Sequence, residues 1–293
     1  MTQRTAETWK TSDPWEILQA HQFALINQTA SLTYRTDFPL FALAPEELEA
    51  DPDLMPALLP LEPGKPYMAA LAQNMEEAKE EPKRLALYGL LAVGEAIEPP
   101  RLQAHLANRL VARLASGGKA YVRYFDPTVY PKLARIIPPP RWSLLHGPIV
   151  RWSIPFYDKW ISFFAPEVEH KAAAWIITEE QWARVERIRF INDALMEHEV
   201  ILERPWESFE EYSQATEVAE RALSTAQRLY GIKDRGDLLV YTVNALVRGE
   251  HFHRYPPIQN LLRNPPPEGH GAALTKLDET IWVEAQAYAC SHY

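Results

Sequence analysis

Residues 116–140 read SGGKAYVRYFDPTVYPKLARIIPPP, and this stretch decides the class of fold. Ala120 to Phe125 is a short run rich in aromatic side chains, the composition of a strand. Asp126 and Pro127 then stand as an N-cap and a proline at the first helical position, where a missing N–H costs nothing. The predicted helix runs to about Ile137 and stops at Pro138-Pro139-Pro140. On the other side, Ser116-Gly117-Gly118 closes a preceding element, because glycine takes the left-handed conformation without strain.

That preceding element is predicted as a helix over Arg101 to Ala115. Leu102, Leu106, Leu110 and Leu114 recur every four residues with Val111 beside them, giving one apolar stripe. Further upstream, Phe23 to Ile26 and Tyr67 to Leu71 are strand candidates, the second weakened by its alanines. Leu85 to Val93 fits a buried strand or a buried helical turn, and periodicity does not choose between them. Strands alternating with helices make this part mixed, α/β or α+β.

Proline divides the chain. Of 25 prolines, 19 lie at or before Pro166, and between Glu167 and Tyr255 there is only Pro205. A stretch without proline sustains long helices; a proline-rich one does not. The expected organisation is a mixed lobe over 1–170, with short strands and helices, followed by a mainly α-helical lobe over 171–293. Caps mark its helices: Thr178 with Gln181, Ser208 with Glu211, and Thr275 with Asp278 each have capping-box spacing. Gly231 ends the helix that Ser208 opens, and Leu238 to Val247 follows as a strongly apolar segment.

Composition narrows the function. The 293 residues carry 39 acidic and 30 basic side chains, a net charge of −9, which opposes nucleic-acid binding. One cysteine, Cys290, permits neither an internal disulfide nor a cysteine-based zinc site. The first residues lack the basic-then-apolar profile of an export signal, and no run approaches a membrane span, so a cytoplasmic protein without membrane contact is expected. Phosphate-binding loops, zinc-protease motifs and nucleophile elbows are missing from a chain with only 11 glycines. The expectation is a protein with no catalytic residues, no metal and no cofactor. His251 and His253, with His198 elsewhere in the helical lobe, read as surface or capping residues.

Other residues point to recognition. His105 and Arg109, four apart, form a polar edge beside the leucine stripe, suited to a neighbouring segment or a partner. Arg123 shares a strand face with Tyr121 and Phe125, where an arginine snorkels along aromatic surface or pairs with a carboxylate. The segment RWSLLHGPIVRWSIPFYDKWISFF, residues 141–164, is dense in aromatics; it is either a core connector or an interface. Trp142, Trp152 and Trp160 are its candidate contact residues, since indoles are favoured at protein interfaces.

These residues carry a resemblance. The run with Arg123, Tyr124, Phe125, Asp126, Pro127 and Val129 resembles the signature of the DUF4123 family, with Thr128 where that family often has arginine. His105, Leu106 and Arg109 resemble its His-Leu-Arg-Arg helix, with Asn108 replacing a basic residue, and Gly147-Pro148-Ile149 resembles its Gly-Pro turn. Pro66 to Leu71 is similar to its Pro-Tyr-Leu-Val-x-Leu stretch, while Asn27 to Ala30 stands where the family has Asp-Gly-Ala. The likeness covers about residues 20 to 165 in order. It implies an adaptor or chaperone of bacterial type VI secretion, which holds an effector, most simply by its N-terminal segment, and passes it to the VgrG spike. The alternatives are an unrelated protein-binding structural or regulatory module, and an enzyme of a kind not signalled by any motif.

Overall fold

The structure, a computed structural model, describes residues 6–9, 12–30, 38–49, 51–81, 84–168 and 174–292. The chain forms two compact units, Met1–Glu186 and Arg187–Tyr293. The division expected after residue 170 lies outside the described residues. Beyond it, β10 (Ile176–Ile177) pairs in parallel with β6 (Val111–Leu114), and α6 (Glu179–Glu186) packs on α4 (Tyr130–Ile136), which ties 176–186 to the first unit.

The first unit is built on an antiparallel sheet. Its order is β1 (Ala6–Thr8), β9 (Lys159–Phe164), β8 (Ile149–Phe156), β5 (Leu87–Val93), β2 (Phe23–Ile26), β4 (Ala57–Pro60) and β3 (Phe41–Ala42). Every described pairing in it is antiparallel, so the mixed lobe is α+β. Phe23 to Ile26 is the strand its composition predicts, and all four residues are buried. The ambiguous Leu85–Val93 run contains β5. Opposed residues show how the sheet faces divide. Ser153 pairs with Ser162 and Pro155 with Trp160 on one face; Trp152 pairs with Phe163 and Ile154 with Ile161 on the other. The first face packs on α1 (Pro14–Gln19) and α2 (Pro66–Glu80) through Ile17, Leu18, Met68, Leu71, Met75 and Trp160.

Several local expectations are corrected. Tyr67 to Leu71 is not a strand: it opens α2, where Pro66 sits in the first turn and Tyr67, Met68, Leu71, Ala72 and Met75 repeat at helical spacing. The helix placed over Arg101 to Ala115 is α3, Pro99–Ala107, and ends there. Leu110 and Leu114 continue its leucine spacing by coincidence, because Val111–Leu114 is β6, paired with β7 (Lys119–Tyr121) across the Ser116-Gly117-Gly118 turn. Strand β7 is shorter than Ala120–Phe125. Asp126 opens a turn rather than capping a helix at Pro127: its Oδ1 accepts from Thr128 N at 2.9 Å and Thr128 Oγ1 at 2.7 Å, and α4 begins at Tyr130. The proline tract ends α4 and also starts α5 (Pro139–His146), since proline suits the first turn of a helix as well as it blocks the interior.

The second unit is helical: α7 (Ile188–Leu202), α8 (Phe209–Leu229), α9 (Arg235–Arg248), α10 (Pro256–Arg263), α11 (His270–Thr275) and α12 (Glu279–His292). Its core joins Ala222, Leu223, Tyr241, Phe252, Ile258, Leu262, Leu274 and Trp282. Ser208 caps α8, accepting from Glu211 N at 3.1 Å, and Asp278 rather than Thr275 caps the start of α12, accepting from Thr280 N at 2.9 Å. The Thr178–Gln181 capping box of α6, in the first unit, is reciprocal: Thr178 N donates to Gln181 Oε1 at 3.0 Å and Gln181 N to Thr178 Oγ1 at 3.3 Å. Among the described residues no helix is long and apolar enough to cross a membrane.

Candidate functional site

The signature residues converge, and most face inward. His105 Nε2–H donates to Leu145 O at 3.0 Å and Arg109 Nε–H to Leu144 O at 3.1 Å, so the polar edge of α3 satisfies the last carbonyls of α5. The chain then turns at Gly147, where φ is +56° and a Cβ would come within 2.4 Å of His105 Cε1. Only glycine fits there. Tyr124, buried, donates its hydroxyl to Leu106 O at 2.7 Å, and Trp175 Nε1–H donates to Arg109 O at 3.0 Å. Pro148 follows the turn, and its carbonyl accepts from Gly94 N at 3.2 Å.

Trp142 and Trp152 belong to this interior. Tyr130 lies 5.0 Å from Trp142, 4.8 Å from Trp152 and 5.2 Å from Phe163, centroid to centroid. The Tyr130 hydroxyl meets His146 Nε2 at 2.9 Å while His146 Nδ1 lies 3.1 Å from Ile149 O. A carbonyl only accepts, so Nδ1 carries the proton and Tyr130 donates to Nε2. Trp160 is buried on the opposite sheet face, against α2. The expectation that Trp142, Trp152 and Trp160 form a contact surface is therefore corrected. Helix α5 and the β8–β9 hairpin give the three indoles an interior to fill, which a loop-rich connector would not.

A second buried network was not anticipated. His21 Nδ1 lies 2.7 Å from Ile17 O, His21 Nε2 2.8 Å from Ser153 Oγ, and Ser153 Oγ 2.6 Å from Ser162 Oγ. Trp9 Nε1–H donates to Ser162 Oγ at 2.7 Å. The carbonyl of Ile17 fixes the proton on Nδ1, so Ser153 donates to Nε2 and Ser162 donates to Ser153. Every hydroxyl direction follows from that carbonyl. Desolvation by burial, with the nearby Arg151 guanidinium adding to it, lowers the His21 pKa to about 4. The serine beside a histidine is thus a structural pair, sealed under the sheet with both residues buried.

What remains outside is one end of the signature. Arg123 has 56% of its side chain exposed, lies 3.2 Å from Asp126 Oδ2, and sits over the Phe125 ring at 5.8 Å. The Tyr88 ring lies 4.9 Å from that of Phe125, tilted by 57°. Partial burial raises the pKa of Tyr88 and of Tyr121, and the nearby Arg123 charge opposes the rise at both. Pro127 lies half-buried beside them. Arg123, Asp126, Tyr88, Tyr121 and Phe125 thus make a cation set among aromatic rings, suited to binding a carboxylate or peptide group.

His253 and His198 have separate structural roles in the second unit. His253 is buried in the second unit against Tyr230, whose hydroxyl lies 2.9 Å from its Nδ1, and burial lowers its pKa to about 4. His198 is buried too, stacked on Trp206 at 4.6 Å and 5°; neither is the surface residue expected. Among the described residues no group of three His, Cys, Asp or Glu side chains is placed to hold a metal. The single cysteine, Cys290, is exposed.

Residues 19–144 match the family model DUF4123, described as a domain of unknown function. No curated protein and no solved structure matches the chain. The DUF4123 match begins at α1 and ends within α5, so it takes in His105, Arg109, Arg123, Phe125, Asp126 and Pro127 and stops just short of Gly147 and Pro148. Three features of the matched region escaped the sequence reading. Tyr88 reaches the Phe125 ring from β5, far upstream in the chain. His21 is bonded to Ser153, more than a hundred positions away, for which spacing offers no signal. Lys132 is buried along its length, its ammonium donating to Thr128 O at 3.2 Å, although a lysine in an otherwise apolar helical turn was visible.

Proposed function

We propose that this protein is a non-catalytic adaptor that binds a type VI secretion effector and delivers it to the VgrG spike. The observation that carries the reading lies within the region matching DUF4123. There, the part of the signature left over from packing is the exposed Arg123 guanidinium, which lies over the Phe125 ring and pairs with Asp126. Such a group grips and orients a partner but neither makes nor breaks a bond. The buried His21–Ser153 pair offers no opening for a substrate, so it supports no hydrolytic reading.

The test is co-expression of the full chain with an effector and the VgrG protein of the same secretion cluster, followed by size-exclusion chromatography. A stable complex that Arg123→Glu weakens at least tenfold, with the fold of the variant verified by its circular dichroism and cooperative thermal unfolding, is the expected result. Separate elution of folded partners overturns the adaptor reading. A complex indifferent to Arg123→Glu overturns the assignment of the surface.

A further inference from the structure

The second unit carries a surface at odds with its own stability. Met196, Val200, Ile201 and Leu202 on the C-terminal half of α7 are 55%, 66%, 52% and 39% exposed. Met196 and Val200 stand one turn apart on the side away from Ile191, Ala194, Leu195 and His198, the residues α7 buries. Carboxylates surround them. From Asp193 to Glu220 the chain has nine acidic residues and one basic residue, Arg204, so most of the molecule's net −9 falls in these few turns. Glu197, Glu199 and Glu203 also stand at the end of α7, where the helix dipole disfavours negative charge, and the last turn has no basic residue. Exposed apolar side chains and misplaced carboxylates each cost the isolated helix stability. Such local conflicts mark surfaces kept for binding.

The corner is held firm from beneath. Trp206 stacks on His198 at 4.6 Å and meets Tyr212 edge-on at 6.0 Å. Arg204 closes the α7–α8 link by bonding Glu211 at 2.8 Å and Glu207 at 3.5 Å, and Arg235 of α9 pairs with Asp193. The surface is thus preorganised, which reduces the entropy lost on binding.

We infer that the apolar, carboxylate-rimmed face of α7 docks a cationic amphipathic helix of a partner protein. Apolar anchors of that helix cover the Met196–Val200 stripe, and its lysines or arginines meet Glu197 on one flank of the stripe and Glu203 on the other. Charge selects this occupant. An anionic lipid surface is repelled by the rim, and a second copy of the same face would set carboxylate against carboxylate. That the helix belongs to a secreted cargo rests on the adaptor reading; the recognition chemistry does not.

The probe is a fluorescein-labelled 18-residue leucine–lysine peptide of helical periodicity, titrated with the full chain by fluorescence anisotropy. A scrambled peptide of the same composition, and vesicles with anionic lipid, serve as comparisons. The ordered peptide is expected to bind at least tenfold more tightly than the scrambled one. Met196→Ser with Val200→Ser, and separately Glu197→Gln with Glu203→Gln, are each expected to weaken binding at least fivefold, whereas Val283→Ser, an exposed apolar site on α12, leaves it unchanged. All of these positions are exposed, and matching thermal unfolding verifies the fold. Equal binding of both peptides, indifference to either double variant, vesicle binding, or self-association relieved by Val200→Ser overturns the inference. Because the peptide contains no effector, this result and the co-purification stand or fall separately.

Discussion

The His21 network makes stability depend on pH in a calculable way. The folded imidazole has its pKa lowered from 6.5 to about 4, by desolvation first and then by Arg151. Between those values the unfolded chain binds a proton that the folded chain refuses, so stability is full above pH 6.5 and falls as pH drops towards 4. At 1.36 kcal/mol per unit the whole window is worth roughly 3 kcal/mol, of which about 2 kcal/mol is already lost near pH 5. The geometry gives the same sign. Protonation would put a second N–H on Nε2, against a Ser153 hydroxyl that now donates to it, and would leave a serine proton in the chain without an acceptor. The assay is urea unfolding from pH 8 to pH 4 on the natural chain and on His21→Gln, whose amide retains a donor and an acceptor without titrating. The difference between the two stability curves isolates His21, since His253 and His198 are present in both. The expected result is a pH slope smaller in the variant by roughly 3 kcal/mol over the window, whatever its stability at neutral pH. Parallel curves would refute the assigned tautomer chain.

Two further substitutions test the signature as scaffold. Gly147→Ala forces φ of +56° on a residue with a side chain and drives Cβ into His105, so a loss of about 3 kcal/mol or more is expected by denaturant titration, and a loss under 1 kcal/mol contradicts the packing of α3 on α5. Asp126→Ala removes the acceptor of Thr128 N and Oγ1 and the partner of Arg123. It should lower stability by about 1 kcal/mol in a thermal scan, and unchanged unfolding would show that the turn holds without the carboxylate.

The sequence shows its class of fold more clearly than its element boundaries, for physical reasons. Buried strands such as Phe23–Ile26 announce themselves because all four side chains face apolar surroundings. The two-part organisation shows in proline usage, since proline acts locally and independently of the fold. Leucine spacing misled at Leu110 and Leu114, where a strand happened to preserve a four-residue interval. Proline rightly marked the end of α4 at 138–140 but gave no notice that the same tract starts α5. The site was legible in part. His105, Arg109 and Arg123 stood out as polar groups among apolar ones, but whether they turn inward is decided by α5 and the β8–β9 hairpin, which lie far along the chain. Aromatic density in 141–164 left core connector and interface both open, and its three indoles lie in the core, because density alone does not distinguish an indole that fills a sheet face from one that awaits a partner.

This inward turn bears on where selectivity resides. A histidine, an arginine, a tyrosine and a glycine of the signature are all occupied in joining α3 to α5 and β8. Altering any of them to suit a new partner would loosen the fold before it changed recognition. Met196 and Val200 in the second unit, exposed and outside caps and ion pairs, can vary at a cost of only about 0.5 kcal/mol, and Arg123 in the first, exposed and held by a surface ion pair, at a cost of about 1 kcal/mol or less. A protein that keeps one frame and must fit one partner closely therefore places its discriminating chemistry on such positions. The carboxylates at the start of α8 serve folding, because they favour the helix dipole and close the α7–α8 link through Arg204, whereas those at the end of α7 oppose the dipole and are accounted for by the cationic partner inferred above.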